Sequence, residues 1–314
     1  MKLKALIISI KGTKLSKSEK IILSKKKPWG IILFKRNLKS NNQIKKLTSE
    51  IKKLTKNNKF PIIIDEEGKN VSRLKDIIHH NTTANFFGKL YKQDKVFCIK
   101  ILNQYLHSLS EILKNLGINI NTIPVLDVLR SSTSKIIGDR SFSKNKKIVR
   151  ELGNYTIKYL HQNKIAGIIK HIPGHGAAIS DSHKTRPIVP LSLKKLNEID
   201  FYPFKFSKAK FAMTAHVLFS RYDKKNVATF SKEIIYNIIR RKIGFKGILI
   251  SDDISMKALK FDLVTNAKKS LKAGCNIVLY CAGKSNENLN LIKSVPYIDE
   301  FTRKKTSEIF KYLR

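Results

Sequence analysis

The chain has 314 residues, enough to bury a full core, and at this length an α/β barrel forms one domain. It carries 63 Lys and Arg against 23 Asp and Glu, a formal net charge of +40. The lysines fall in nearly every segment, among many Ile and Asn, and no zinc knuckle, RNA-recognition aromatic motif or heptad accompanies them, which argues against specific nucleic-acid binding and for a solvated, lysine-biased surface that still attracts anions.

The first segment, "MKLKALIISIKG", begins like a signal peptide, but its apolar stretch ends at Lys11 and no small-residue cleavage site follows, so it is read as a buried strand. "SKSEKIILSKKK" follows as a solvated helix face. "WGIILF" and "FPIIID" are the next two strands, the second ending in Asp65. "DKVFCIKILNQYLHSLSEILKNLG" has helical spacing and leads to a fourth strand, "INTIPVLDV", followed by Asp127 and later by Arg140. A second helical stretch, "KKIVRELGNYTIKYLHQNK", precedes "IAGIIKHI", which ends on Lys170 and His171. "FAMTAHV" brings His216, "GILISDD" ends on Asp252 and Asp253, "NIVLYC" is the eighth strand, and "DEFTRKKTSEIFKYLR" is expected as a closing surface helix. Continuous apolar runs indicate strands covered on both faces, and their alternation with helices predicts a single (β/α)8 barrel of the TIM type spanning 1–314. No apolar run approaches the ~20 residues of a membrane span, so no membrane partner is expected. Cys98, Cys275 and Cys281 are odd in number and lack a CxxC pair, which fits a reducing, cytoplasmic compartment.

Barrel active sites lie where strands run out into loops at their C-terminal ends, and the polar residues gather there. One strand-end aspartate is ordinarily a cap; a whole ring of polar strand ends points to a site. Asp252 has a bland reading as the cap before "ISMKALK", a role that Ser251 or Asp253 could fill instead. The loop "KHIPGHGAAISDSHKTRP", 170–187, holds three of the eight histidines.

The stretches "IIDEEGKNVSRL", "IGDRSF", "KHIPGHGAAISDSHKTRP", "MTAHV" and "IIRRKIGFKGILISDDISM" resemble, in order, the motifs of glycoside hydrolase family 3, and in particular its bacterial cytoplasmic β-N-acetylhexosaminidases of cell-wall recycling. The resemblance implies retaining hydrolysis of a terminal β-linked N-acetylglucosamine from muropeptide fragments, without cofactor or metal. It makes Asp252 the nucleophile and His183 the acid/base, oriented by Asp181 two residues earlier; Gly174, Gly176, Ala177 and Ala178 let that loop close over the substrate. Asp65, Arg73, Arg140, Lys170, His171 and His216 would hold the sugar. The chain departs from the family at Lys69 and Asn70, where Gly and Arg are common, and at Thr214, where proline is common. A monomer is expected.

Three alternatives belong beside this reading. A metal-dependent barrel hydrolase would use His171, His175, Asp181, His183 and His216 as ligands; a basic, noncatalytic binding protein would lack the strand-end carboxylates; and a family 3 β-glucosidase would differ only in sugar specificity.

Overall fold

The computed structural model describes residues 2–313 apart from 132, 134, 135, 180–185 and 206. Eight parallel strands, β1 (Lys4–Ser9), β2 (Pro28–Leu33), β3 (Ile62–Ile64), β4 (Ile120–Asn121), β5 (Ala166–Ile172), β6 (Phe211–Thr214), β7 (Ile248–Asp253) and β8 (Ile277–Tyr280), pair in chain order. The ring closes where Ile7 of β1 pairs with Leu279 of β8. It is the (β/α)8 barrel expected from the alternation.

Side chains one apart along each strand enter different cores. Ile7, Ile32, Ile63, Ile168, Met213, Ile250 and Leu279 fill the barrel, while Leu6, Ile8, Ile31, Leu33, Ile62 and Ile64 pack outward under the helices. Those helices are α1 (Lys17–Ile21), α2 (Asn41–Thr55), α3 (Ala84–Gln93), α4 (Lys95–Asn115), α5 (Lys146–Gln162), α6 (Leu193–Glu198), a π-helical turn at Ile234–Lys242, α7 (Leu263–Ala273), α8 (Ser285–Ser294) and α9 (Glu300–Phe310). In α2, Ser40 caps the Gln43 amide and the stripe Ile44, Leu47, Thr48, Ile51, Thr55 faces inward at helical spacing.

Two expectations change in detail. The fourth run, 120–128, leaves the ladder after Asn121: Pro124 has no amide to donate, and beyond it only Val125 bridges to Lys170. Side chains take over the missing bonds. Asn121 Oδ1 accepts from the Glu66 amide at 3.0 Å, and its Nδ2 donates to the Glu66 carbonyl at 2.9 Å. The C-terminal helix, expected on the surface, is α9, but one face is buried: Ile309, with Leu313 just past the helix end, joins Leu3 and Trp29 in the core cluster that fills the barrel. The Trp29 indole donates to Thr306 Oγ1 at 2.9 Å and meets Phe211 edge-on at 5.5 Å. This end of the barrel is therefore stoppered, and the opposite end carries the loops. Among the described residues no helix is long and apolar enough to cross a membrane.

Candidate active site

At the C-terminal ends of the strands lies a cavity of about 150 Å3 whose wall includes Phe34, Asp65, Arg73, Thr122, Arg140, Lys170, His171, His175, Asp252, Met256 and Cys281. A second hollow of about 270 Å3, lined by Asn70 and Val71 and sharing Asp65, Arg73 and Arg140, adjoins it.

Asp65, at the end of β3, is the hub. Its Oδ1 accepts from Lys170 Nζ at 2.7 Å and from the Thr122 hydroxyl, and its Oδ2 from Arg73 Nη2 at 2.6 Å. Burial alone would raise its pKa, but Lys170, Arg73 and these hydrogen bonds hold the carboxyl far below the usual carboxylate range. Lys170 also reaches Glu67 Oε1 at 2.5 Å and Thr122 Oγ1 at 2.8 Å, so all three of its protons have protein acceptors. It fixes the carboxylates more than it offers a spare donor. Arg140 forms a two-bond fork with Glu67, at 2.7 and 2.8 Å, and Nη1 donates to the Ile136 carbonyl at 3.0 Å. Against the cost of burial, Arg140 and Lys170 keep Glu67 ionised, so it cannot serve as a reserve proton donor at neutral pH. The Arg73 guanidinium also lies over the Phe34 ring, 5.0 Å from its centroid.

The histidines of β5 rest on Asp127. His171 Nδ1 meets Asp127 Oδ2 at 2.7 Å, leaving Nε2 without a hydrogen bond among the described residues, and the His175 amide donates to Asp127 Oδ1 at 2.6 Å. The Lys170–His171 and Ile172–Pro173 bonds are cis.

The two aspartates of β7 have different partners. Asp253 accepts from the Ser255 amide and hydroxyl at 3.1 and 2.7 Å and from the Cys281 amide at 3.1 Å, closing a turn; no helix begins at "ISMKALK", and the next one, α7, is capped by Asp262. Asp252 Oδ1 accepts from the Asp253 amide at 2.7 Å, and among the described residues its other oxygen has no hydrogen-bond partner. Burial would raise the Asp252 pKa, but His216, His171, that amide and Lys170 bring it below the ordinary value.

Asp65, Arg140, Lys170, His171 and Asp252, from the strand-end pattern, thus meet at one cavity with Arg73, which only the family resemblance indicates. His216 does not line it. Its Nδ1 bonds to Thr229 Oγ1 at 2.7 Å and its Nε2 to the Asp253 carbonyl at 3.0 Å, so neither ring nitrogen remains for a sugar; it braces β7 from behind. Thr214 extends the same chain through Thr229, at 2.8 Å. Asp181 and His183 lie outside the described residues. Among the described residues, no group of three or more His, Cys, Asp or Glu has metal-holding geometry.

The Glycosyl hydrolase family 3 N terminal domain profile matches residues 1–304. The chain belongs to glycosyl hydrolase family 3. A "Beta-hexosaminidase" of Nitrosomonas eutropha is 32% identical over 281 residues, 88% of this chain and 80% of that protein. One of Actinobacillus succinogenes is also 32% identical, over 98% of this chain and 90% of its own length. Among solved structures, NagZ from Neisseria gonorrhoeae in complex with N-trifluoroacetyl-D-glucosamine superposes with a TM-score of 0.90 at 30% identity, covering 98% of this chain and 90% of that one. This family 3 chain is a glycoside hydrolase resembling β-hexosaminidases.

Several members of this family 3 site escape a reading by strand ends. Thr122 sits mid-run and only the barrel brings its hydroxyl to Asp65. Glu66 looks like one more acid, yet it is fully buried and accepts from the Arg73 and Leu74 amides at 2.7 and 2.9 Å and meets His80 at 2.9 Å, pinning the loop that carries Arg73. The Lys69 and Asn70 departures fall on the exposed tip of that loop, in a turn closed by the Val71 amide on the Gly68 carbonyl.

Proposed function

We propose that this chain, as one catalytic domain over 1–314, is a retaining β-N-acetylhexosaminidase that removes terminal β-linked N-acetylglucosamine from cell-wall muropeptide fragments in the cytoplasm. The observation that carries the reading is Asp252, a strand-end carboxylate kept ionised, with one oxygen unclaimed among the described residues, facing a cavity walled by a network of sugar-compatible donors and acceptors. The relatives' names support the sugar class.

Retention requires a nucleophilic carboxylate and a separate proton donor. In the first half-reaction Asp252 attacks the anomeric carbon, and the bond to the leaving oxygen breaks as that oxygen takes a proton from His183. The glycosyl-enzyme is then opened by water, which gives its proton to His183 while Asp252 is released. A histidine suits both tasks because its unperturbed pKa lies near neutrality; Asp181 would fix its tautomer. Asp65, Arg73, Arg140 and His171 hold the sugar hydroxyls. The cavity is smaller than the ~300–1,000 Å3 of drug-sized sites, in keeping with one terminal sugar residue at the bottom of the site.

The test is parallel incubation with chromogenic β-N-acetylglucosaminide and β-glucoside, with analysis of the first-formed anomer. Preferential release from the former with retention of configuration is expected; inversion would overturn the mechanism, and preference for the glucoside would overturn the specificity. Anhydro-muropeptides as substrates then test the cell-wall assignment.

A further inference from the structure

The end of β7 that carries Asp252 is held by few ladder bonds. Its pairing with β6 matches Phe211 with Ile248, Ala212 with Leu249 and Met213 with Ile250, and stops there. Its register with β8 slips: Ile250 pairs with Ile277 but Asp253 with Leu279, three steps along one strand against two along the other. A side chain on such a bulge takes its aim from local bonds. Asp252 has one, from the Asp253 amide to Oδ1 at 2.7 Å. The Asp253 carbonyl in turn accepts from the Met256 amide at 3.1 Å and, from just beyond β6, meets His216 Nε2 at 3.0 Å.

That contact fixes the direction of a chain of hydrogen bonds. A carbonyl only accepts, so Nε2 carries the hydrogen. Burial outweighs the neighbouring Asp252 and Asp253 carboxylates and keeps the His216 pKa below its ordinary value, so at neutral pH the ring is uncharged and Nδ1 is a lone pair. Nδ1 therefore accepts from the Thr229 hydroxyl at 2.7 Å, and Thr229 Oγ1, its one proton given, accepts from the Thr214 hydroxyl at 2.8 Å. The rival acceptor for Thr229, the Ala215 carbonyl, is farther away at 3.2 Å. Thr214, His216 and Thr229 are all buried, which strengthens these bonds and shields them from bulk water.

We infer that His216 is a positioning residue for the nucleophile: it sets the backbone of Asp253, whose amide aims the Asp252 carboxylate, and the Thr214 and Thr229 hydroxyls hold its ring in the one tautomer that does so. This rests on the reading of Asp252 as nucleophile. His216 acts on attack rather than on sugar binding, since its own nitrogens are spent within the protein, and a misplacement of ~1 Å at a reacting group costs about 100-fold in rate.

The experiment measures three quantities for wild type, His216→Phe, His216→Gln, Thr229→Val and Thr214→Val: kcat/KM on an activated aryl β-glycoside of whichever sugar the wild type turns over, the rate of inactivation by the matching 2-fluoro glycoside, and the inhibition constant of the free sugar. His216→Phe is expected to lower the first two by about 10- to 100-fold and to leave the third within about threefold. His216→Gln, whose amide still donates towards the Asp253 carbonyl, should recover much of the loss. Thr229→Val and Thr214→Val, which release the tautomer from progressively farther away, should each lose less than His216→Phe, in that order. A merely structural role would weaken the inhibitor as much as it slows attack; that result, or wild-type inactivation of a folded His216→Phe, would overturn the inference. Should thermal unfolding show that His216→Phe does not fold, Thr229→Val decides: slower inactivation at an unchanged inhibition constant supports the role, and a wild-type rate overturns it. Asp252→Asn, run in parallel, separates the two readings. Turnover that survives this change would refute the nucleophile itself, whereas an inactive Asp252→Asn beside an unaltered His216→Phe would refute only the role of His216.

Discussion

Asp252 and Asp253 are neighbours in sequence whose carboxyls are driven in opposite directions: Asp252 below its ordinary pKa and Asp253 above it, the latter chiefly by burial despite its bonds to Ser255. Asp252→Asn should keep the fold and lower turnover by several orders of magnitude, and a 2-fluoro sugar trap should label a peptide carrying Asp252; label on Asp253 or Asp65 would refute the assignment. His183→Ala should slow poor leaving groups, such as natural disaccharides, far more than activated aryl glycosides, with Asp181→Ala following more mildly. A plot of kcat/KM against leaving-group pKa reads this, and a uniform loss would deny His183 the proton. His175 gives a prediction about stability. In the unfolded chain its imidazole binds a proton near pH 6.5, in the folded chain only near pH 4, so between these values the unfolded state holds more protons. Stability from this group is complete above about pH 6.5 and is lost as the pH falls to about 4, amounting to roughly 3 kcal/mol. His216, also depressed by burial, acts in the same direction. Urea unfolding at pH 7 and pH 4.5 should show a smaller acid loss in His175→Gln than in wild type; an identical loss would remove His175 as a cause.

The loop following β5 begins on a base with almost no slack. Gly174 adopts φ +136° against Asp200, a Cβ on Gly176 would sit 2.0 Å from the Val128 carbonyl oxygen, Arg130 pairs with the buried Asp200, and the Thr133 hydroxyl donates to the Gly176 carbonyl at 2.6 Å. Gly176→Ala must displace either the loop or the Val128 backbone, so kcat/KM should fall at least tenfold with a lowered melting temperature; a variant with wild-type kinetics would show that the base is not held as described. Much of the arrangement of elements is legible in the sequence, because a strand covered on both faces is a continuous apolar run and the polar residue ending it marks the barrel mouth. Asp65, Lys170, His171 and Asp252 are found that way. Thr122 is not, since its role arises from pairing between β3 and β4, nor is Glu66, whose carboxylate turns inward onto the amides of its own following loop; the side-chain amides of Asn119 and Asn121 that replace ladder bonds between those strands leave no periodic trace. His216 misleads for a related reason: sequence places it beyond β6 but not its ring, which turns behind β7 onto Thr229.

Over the whole molecule, the far end of the barrel is built for packing and the near end for chemistry. Leu313→Ala, in the stopper formed by α9 and the residues that follow it, should cost about 2–5 kcal/mol of stability, measured by urea unfolding, with KM for an aryl glycoside unchanged; a raised KM would mean that the two ends communicate. The spread of positive charge gives a separate expectation: binding to DNA or RNA should be weak, indifferent to sequence and abolished by moderately raised salt in a filter or anisotropy assay. The ring of strands closes through pairing of β1 with β8, and Asp65 reaches Lys170 across 105 residues of chain. No contiguous stretch holds the set of groups that would grip a sugar, so the cavity comes into being only when strands far apart in sequence are paired into the barrel. A sugar that binds there at about 100 times its Kd then adds roughly 2.7 kcal/mol to the closed state alone, and the enzyme's own ligand becomes a probe of whether newly made chains have finished folding.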